Sequence, residues 1–205
     1  MKRLLILIIV CCFALQAADA KTVGKGENRP TVQSALGGSY YVRSIPHEYF
    51  GTKGTTQIFK VKIGGDEVLD EYPIYMRGEI YLGWSPIKGK WCLVHAESER
   101  TSSEEAYDKV GKLAHLTFYM GGKEILSYAG EDLKKMGLER SVATLEHKIP
   151  GQFMIHGINQ ISGTNHYVLS IEKIGKDPAV TEEILMDITT GKTFSGIPVK
   201  HSRMG

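Results

Sequence analysis

Cysteine is scarce: the chain has three in 205 residues, and Cys11 and Cys12 sit in an apolar stretch near its start, leaving Cys92 alone in the remainder. A disulfide-stapled scaffold is thereby excluded, and stability has to come from a packed core. Neither sign of charge dominates, with 25 Lys and Arg against 23 Asp and Glu. The basic surplus that releases counterions from nucleic acid is missing, so no nucleic-acid partner is expected. No apolar run of membrane length follows Leu15, so the mature chain is expected to lack a transmembrane segment. Asn28, Asn159 and Asn165 all fail the Asn-X-Ser/Thr pattern, which removes any hint of a glycosylated surface. What is present is an ordinary globular composition, 42% hydrophobic and 23% charged, unlike that of disordered or collagen-like chains.

The first twenty residues read as an address. Lys2 and Arg3 precede the apolar run Leu4–Leu15, and Ala18-Asp19-Ala20 offers a small-x-small cleavage site. Twelve apolar residues rise only about 18 Å as a helix, against a bilayer core of roughly 30 Å. Residues 1–20 are therefore expected to be a signal peptide. Export to the periplasm or the extracellular space would follow, with cleavage after Ala20. Residues 21–39, polar and Gly-rich with Pro30, read as a flexible lead-in. Residues 40–205 read as a single β-rich domain, long enough to bury roughly 70% of its unfolded surface.

From Tyr40 onward the dominant signal is alternation of apolar and polar residues. Phe59, Val61 and Ile63 alternate with lysines; Ile80, Leu82 and Trp84 with Glu79 and Tyr81; Leu116, Phe118 and Met120 with Thr117 and Tyr119; Tyr167, Leu169 and Ile171 with Ser170 and Glu172. Such periodicity is the mark of half-buried strands, and the runs are separated by Gly, Pro, Ser and Asp clusters suited to turns. The expected fold is mainly β, an antiparallel sandwich or barrel of about ten short strands with one or two short helices. The helix candidates are Ser102–Gly111, with a capping-box spacing from Ser102 to Glu105, and the segment around Glu131–Lys135. Ile63-Gly-Gly-Asp-Glu-Val-Leu69 is echoed by Met120-Gly-Gly-Lys-Glu-Ile-Leu126 and, more faintly, by Ile174-Gly175 followed by Glu182-Glu-Ile-Leu185. Each reads as strand, tight turn, strand, and the three together suit a repeated β architecture.

Chemistry-bearing patterns are few. Cys92 and His95 would leave opposite faces of a strand, with Cys92 on the apolar row of Val94 and Ala96, so no thiol nucleophile is expected. Gly83–Lys90 and Gly191-Lys192-Thr193 imitate phosphate loops but lack the glycine spacing and the following helix, and read as turns. His147 and His156 would be diagonal neighbours across a Pro150-Gly151 hairpin, yet two imidazoles fall short of a zinc site. No catalytic residue, metal ligand or cofactor is assigned. Gly38-Ser39-Tyr40-Tyr41 followed by Pro46 resembles the opening strand of lipocalin-type barrels over fewer than ten residues. Tyr stands there in place of the usual Trp, no closing helix follows, and no site is carried over from the resemblance.

The remaining signal is aromatic. Tyr72, Tyr75, Tyr81, Trp84 and Trp91 fall within twenty residues, and aromatic side chains on antiparallel strands can line a barrel mouth or a flat recognition face. Tyr75, Tyr81, Trp84 and Trp91 are the expected ligand-binding residues. The function expected from this pattern is a non-enzymatic exported binding module for a small ligand or a protein partner. A structural or assembly protein of the cell envelope is the alternative, and a hydrolase whose carboxylates meet only in space is a third possibility.

Overall fold

The computed structural model describes residues 27–98, 113–142, 149–177 and 180–194. Among these residues twelve strands form three four-stranded sheets, each built from strands consecutive in sequence. The first sheet holds β1 (Thr31–Ala35), β2 (Tyr40–Pro46), β3 (Gly54–Lys60) and β4 (Glu67–Tyr72) in that order. The second holds β5 (Glu79–Ser85), β6 (Lys90–Ser98), β7 (Leu113–Met120) and β8 (Lys123–Ala129). The third runs β12 (Thr181–Asp187), β11 (Tyr167–Ile174), β10 (Gln152–Gln160) and β9 (Arg140–Ser141). All neighbours are antiparallel except the short pairing of β9 with β10. The architecture is sandwich-like and the barrel alternative is not realised, because no sheet closes on itself.

The middle sheet is covered on both faces, and this organises the molecule. On one face Cys92, Val94, Ala96, Leu116 and Phe118 pack against Phe153, Leu169, Ile171, Met186 and Ile188 of the third sheet and its following turn. On the other, Ile80, Leu82, Leu93 and Tyr119 pack against Val42, Ile58, Tyr72 and Met76 of the first sheet and the segment after it. The third sheet approaches closely at Gly83, where an added Cβ would lie 2.9 Å from Ile158 and 3.0 Å from Ile188. Alternation along β5–β7 thus separates two apolar environments, not core from solvent.

One helix occurs among the described residues, α1 (Gly130–Lys135), and it matches the second helix candidate. Glu131 and Asp132 occupy its first turn and Lys134 and Lys135 its last, the order that suits the helix dipole. Gly137, at φ 76°, reverses the chain so that Leu133 and Leu138 both enter the core. The Ser102–Gly111 candidate lies outside the described residues.

Two departures from expectation have physical causes. Thr31–Ala35, within the expected lead-in, forms an edge strand, because the Gln33 amide supplies what an apolar pattern would have supplied. Its Nε2 donates to the Gly78 carbonyl and its Oε1 accepts from Ile80 N at 3.0 Å, so the side chain stitches β1 to β5. Strand β3 runs back to Gly54 and stops at Lys60, so Val61 and Ile63 are outside it and exposed. Its inner face carries a hydroxyl where the alternation rule looks for a hydrocarbon. Thr56 Oγ1 lies 2.8 Å from Ser44 Oγ and donates to Ile74 O at 2.7 Å, while Met76 N donates to Ser44 Oγ at 2.8 Å. This buried network fastens residues 74–76 beneath the first sheet.

The three sequence echoes fall at one topological position. They are the β3–β4, β7–β8 and β11–β12 connections, the last hairpin of each sheet. The first two also carry a bulge on the final strand, opposite the Ile58/Phe59 and Phe118/Tyr119 steps. The echoes thus occupy matching places in three sheets, although the third sheet opens with the short parallel pair β9–β10 where the other two are antiparallel throughout.

Candidate functional site

The four aromatic residues singled out in the sequence separate into three environments. Tyr75 is buried; its hydroxyl donates to Arg29 O at 2.7 Å and accepts from Arg29 N at 3.3 Å, a structural tie to the start of the described chain. Tyr81 leans against the core between the second and third sheets, and its hydroxyl donates to Glu79; desolvation, followed by this carboxylate, raises its pKa above the ordinary value. Trp84 and Trp91 face each other across β5 and β6 on the opposite face from Tyr81, with ring centroids 5.2 Å apart at 63°. Trp91 also meets Tyr40 of β2 at 4.7 Å, while Trp84 remains exposed. The structure thus brings Trp84 and Trp91 together, adds Tyr40, and places Tyr75 and Tyr81 elsewhere.

This aromatic corner stands at the end of the molecule where several turns converge. Lys60 is the register partner of Tyr40, Lys90 that of Ser85, and Gly121 N donates to Trp91 O at 3.4 Å. The β3–β4 turn, the β5–β6 turn, the β7–β8 turn and the single turn Leu36–Gly38 are all at this end. Leu36, Val61, Ile63, Trp84 and Ile87 are exposed here, five of the eleven large apolar side chains exposed among the described residues, and Ile63 is fully so. Left-handed backbone accompanies them: Leu36 adopts φ 48°, unusual for a residue with a Cβ, beside Gly37 and Gly38 at φ 69° and 83°. Lys60, Lys62, Lys88 and Lys90 are exposed between these residues. Of the acidic groups nearby, Asp66 accepts from the Tyr41 hydroxyl at 2.8 Å, and Glu67 pairs with Lys62, which lowers the Glu67 pKa. The outward-facing balance is basic.

Two other constellations were invisible in the sequence. On the outer face of the first sheet, Tyr41 stacks on Phe59 at 4.7 Å, and the Arg43 guanidinium lies 4.6 Å from the Phe59 ring centre. Arg43 then donates to Gln57, and Gln57 to Glu71, each at 2.7 Å. The ladder binds its own members, and Phe59 is covered by it. On the outer face of the third sheet Glu172 and Glu183 are register partners, with His156 Nε2 3.0 Å from Glu172 and Ser170 Oγ donating to Glu183 at 2.7 Å. Among the described residues no group of three or more His, Cys, Asp and Glu side chains is arranged to hold a metal.

Cys92 sits on the face with Val94 and Ala96, and His95 points to the other side. Burial pushes the Cys92 thiol up to about 12, which leaves almost no thiolate at neutral pH. His147 lies outside the described residues.

What the fold and this end define is a stack of three four-stranded sheets with an open aromatic and basic corner. Among the described residues no helix is long and apolar enough to cross a membrane. No protein-family model, curated protein or solved structure matches the chain.

Proposed function

We propose that the protein is an exported, non-enzymatic binding module, released to the periplasm or the extracellular space by cleavage after Ala20. It holds its partner on the open corner formed by Trp84, Trp91 and Tyr40. The observation that carries this reading is the exposed Trp84 indole, packed edge-on to Trp91 in a segment whose other aromatic side chains are occupied by the core. An indole left at the surface keeps a large apolar area and an N–H donor available to a partner, the combination that makes Trp frequent at recognition surfaces. Tyr75, tied to Arg29, and Tyr81, packed on the core between the second and third sheets, lie apart from this corner. The arrangement favours a surface-bound partner over a small molecule enclosed in a barrel.

Trp84 and Trp91 are the only tryptophans in the chain, so their emission reports this corner alone. The test is native mass spectrometry of the protein recovered after export by its own leader, with tryptophan emission followed before and after partner removal. Expected are loss of residues 1–20 and a retained partner mass that disappears on denaturation and in Trp84→Ala. A bare monomer whose emission responds equally with or without candidate partners counts against the reading.

A further inference from the structure

We infer that the turn end of the molecule docks on an anionic lipid bilayer surface, with Ile63 and Ile87 as inserting tips and Trp84 at the headgroup level. This inference rests on the reading of the Trp84 corner as the binding surface and names its partner. Ile63 and Ile87 stand at the β3–β4 and β5–β6 turns, and with Leu36 and Val61 they are exposed without belonging to any packed cluster of the fold. Aliphatic side chains on separate turn tips offer a protein partner little shape to match. A fluid hydrocarbon layer needs no matching pocket, and side chains reaching ~5–10 Å past the headgroups suffice for interfacial binding. Trp84 lies behind the tips, where an amphipathic indole is most stable at a membrane–water boundary.

Charge completes the match. Lys88 and Lys90 are exposed and form no ion pair among the described residues, whereas Glu67 pairs with Lys62 and faces Lys60 across β3 and β4, and Asp66 is engaged by Tyr41. Lysines next to apolar tips lay their stems along the interface and leave their ammonium groups at the lipid phosphates. Each lysine near an anionic surface strengthens binding about fivefold at physiological ionic strength. An anionic bilayer is thus favoured over a neutral one. No spanning helix is required.

The experiment is vesicle co-sedimentation with tryptophan emission as a second readout. The exported wild-type protein and Ile63→Ser/Ile87→Ser are compared on phosphatidylcholine vesicles with and without 30% phosphatidylglycerol. Both changed positions are solvent-exposed, and far-UV circular dichroism verifies that the variant keeps the fold. Expected are binding to the anionic vesicles with a blue-shifted Trp84 emission, weaker binding at high salt, and at least a tenfold loss in the double variant. Lys88→Gln/Lys90→Gln should weaken anionic binding by more than tenfold while leaving the weak neutral-vesicle binding unchanged. Absence of binding to anionic vesicles, or equal binding by wild type and Ile63→Ser/Ile87→Ser, overturns the inference. If that happens while a soluble ligand or protein still requires Trp84, the binding-module reading survives and the bilayer is the wrong partner.

Discussion

Replacing Thr56 by Val is the most revealing single perturbation of this fold. The two side chains are nearly isosteric, so no cavity opens and the effect is confined to the hydroxyl. Thr56 is fully buried, and its Oγ1 donates to Ile74 O at 2.7 Å, contacts Ser44 Oγ at 2.8 Å and accepts from Met76 N at 3.3 Å. In Thr56→Val the Ile74 carbonyl loses its donor in a dry environment, which costs about 1–3 kcal/mol. Ser44→Ala should cost less, because Thr56 Oγ1 remains to serve both Ile74 O and Met76 N. Removing both hydroxyls also leaves Met76 N unpaired, so the double variant should exceed the sum of the singles by roughly 0.5–2 kcal/mol. The assay is urea unfolding followed by tryptophan emission, with a circular dichroism transition to verify two-state behaviour. If Thr56→Val loses less than about 0.5 kcal/mol, or if the singles add, the hydroxyl network does not fasten residues 74–76 and the account of β3 is wrong.

Three further outcomes follow from the buried groups. His95 is buried with Nε2–H donating to Arg77 O, and desolvation lowers its pKa below the usual 6.5 against the opposing pull of that bond and of Glu97. The unfolded chain then takes up a proton that the native state refuses. Stability should fall as pH drops below about 6.5, at up to ~1.4 kcal/mol per pH unit, and urea midpoints from pH 8 to 5 should show a slope that flattens in His95→Gln. Cys92 should resist a thiol reagent at pH 8 in the native state and react only on unfolding; peptide mass mapping that finds it labelled at the rate of an exposed thiol would refute its burial. Gly83→Ala should destabilise by about 1–3 kcal/mol, since its Cβ meets Ile158 and Ile188 at about 3 Å, and Ile158→Val in the same chain should recover part of the loss in thermal unfolding.

The middle sheet was the most legible part of the chain, although its alternation has a different meaning from the one it usually carries. Leu116, Phe118 and Met120 share one face as their spacing indicates, but Tyr119 on the other face is equally buried. A period of two reports that the faces differ, and says nothing about which of them meets water. The outer strands were harder to read because polar atoms do the work of apolar ones. Gln33 holds β1 in place, and Ser44 with Thr56 forms the inside of the first sheet. The site was legible to the extent that composition points at tryptophan. Trp84 and Trp91 differ by an odd number and still share a face, because they belong to two strands paired across a turn. Tyr40 comes from another sheet and could be found only in three dimensions. Ile63 carried a signal in the opposite direction: the alternating run suggested a strand residue, and the Gly64-Gly65 turn claimed it first. An apolar residue stranded in a turn is a local inconsistency, and such places are where function tends to be sited.

The stacking of three consecutive sheets has a consequence for how disturbance spreads. The first and third sheets bury their apolar faces on opposite sides of the same four strands, and the two clusters draw on different side chains: Leu93 and Tyr119 on one side, Cys92 and Phe118 on the other. The molecule is mechanically a short series circuit. Among the described residues the two clusters meet across the middle sheet, so amide exchange in β2 and β3 should be insulated from a loosening of β10 or β11 until β6 and β7 themselves open.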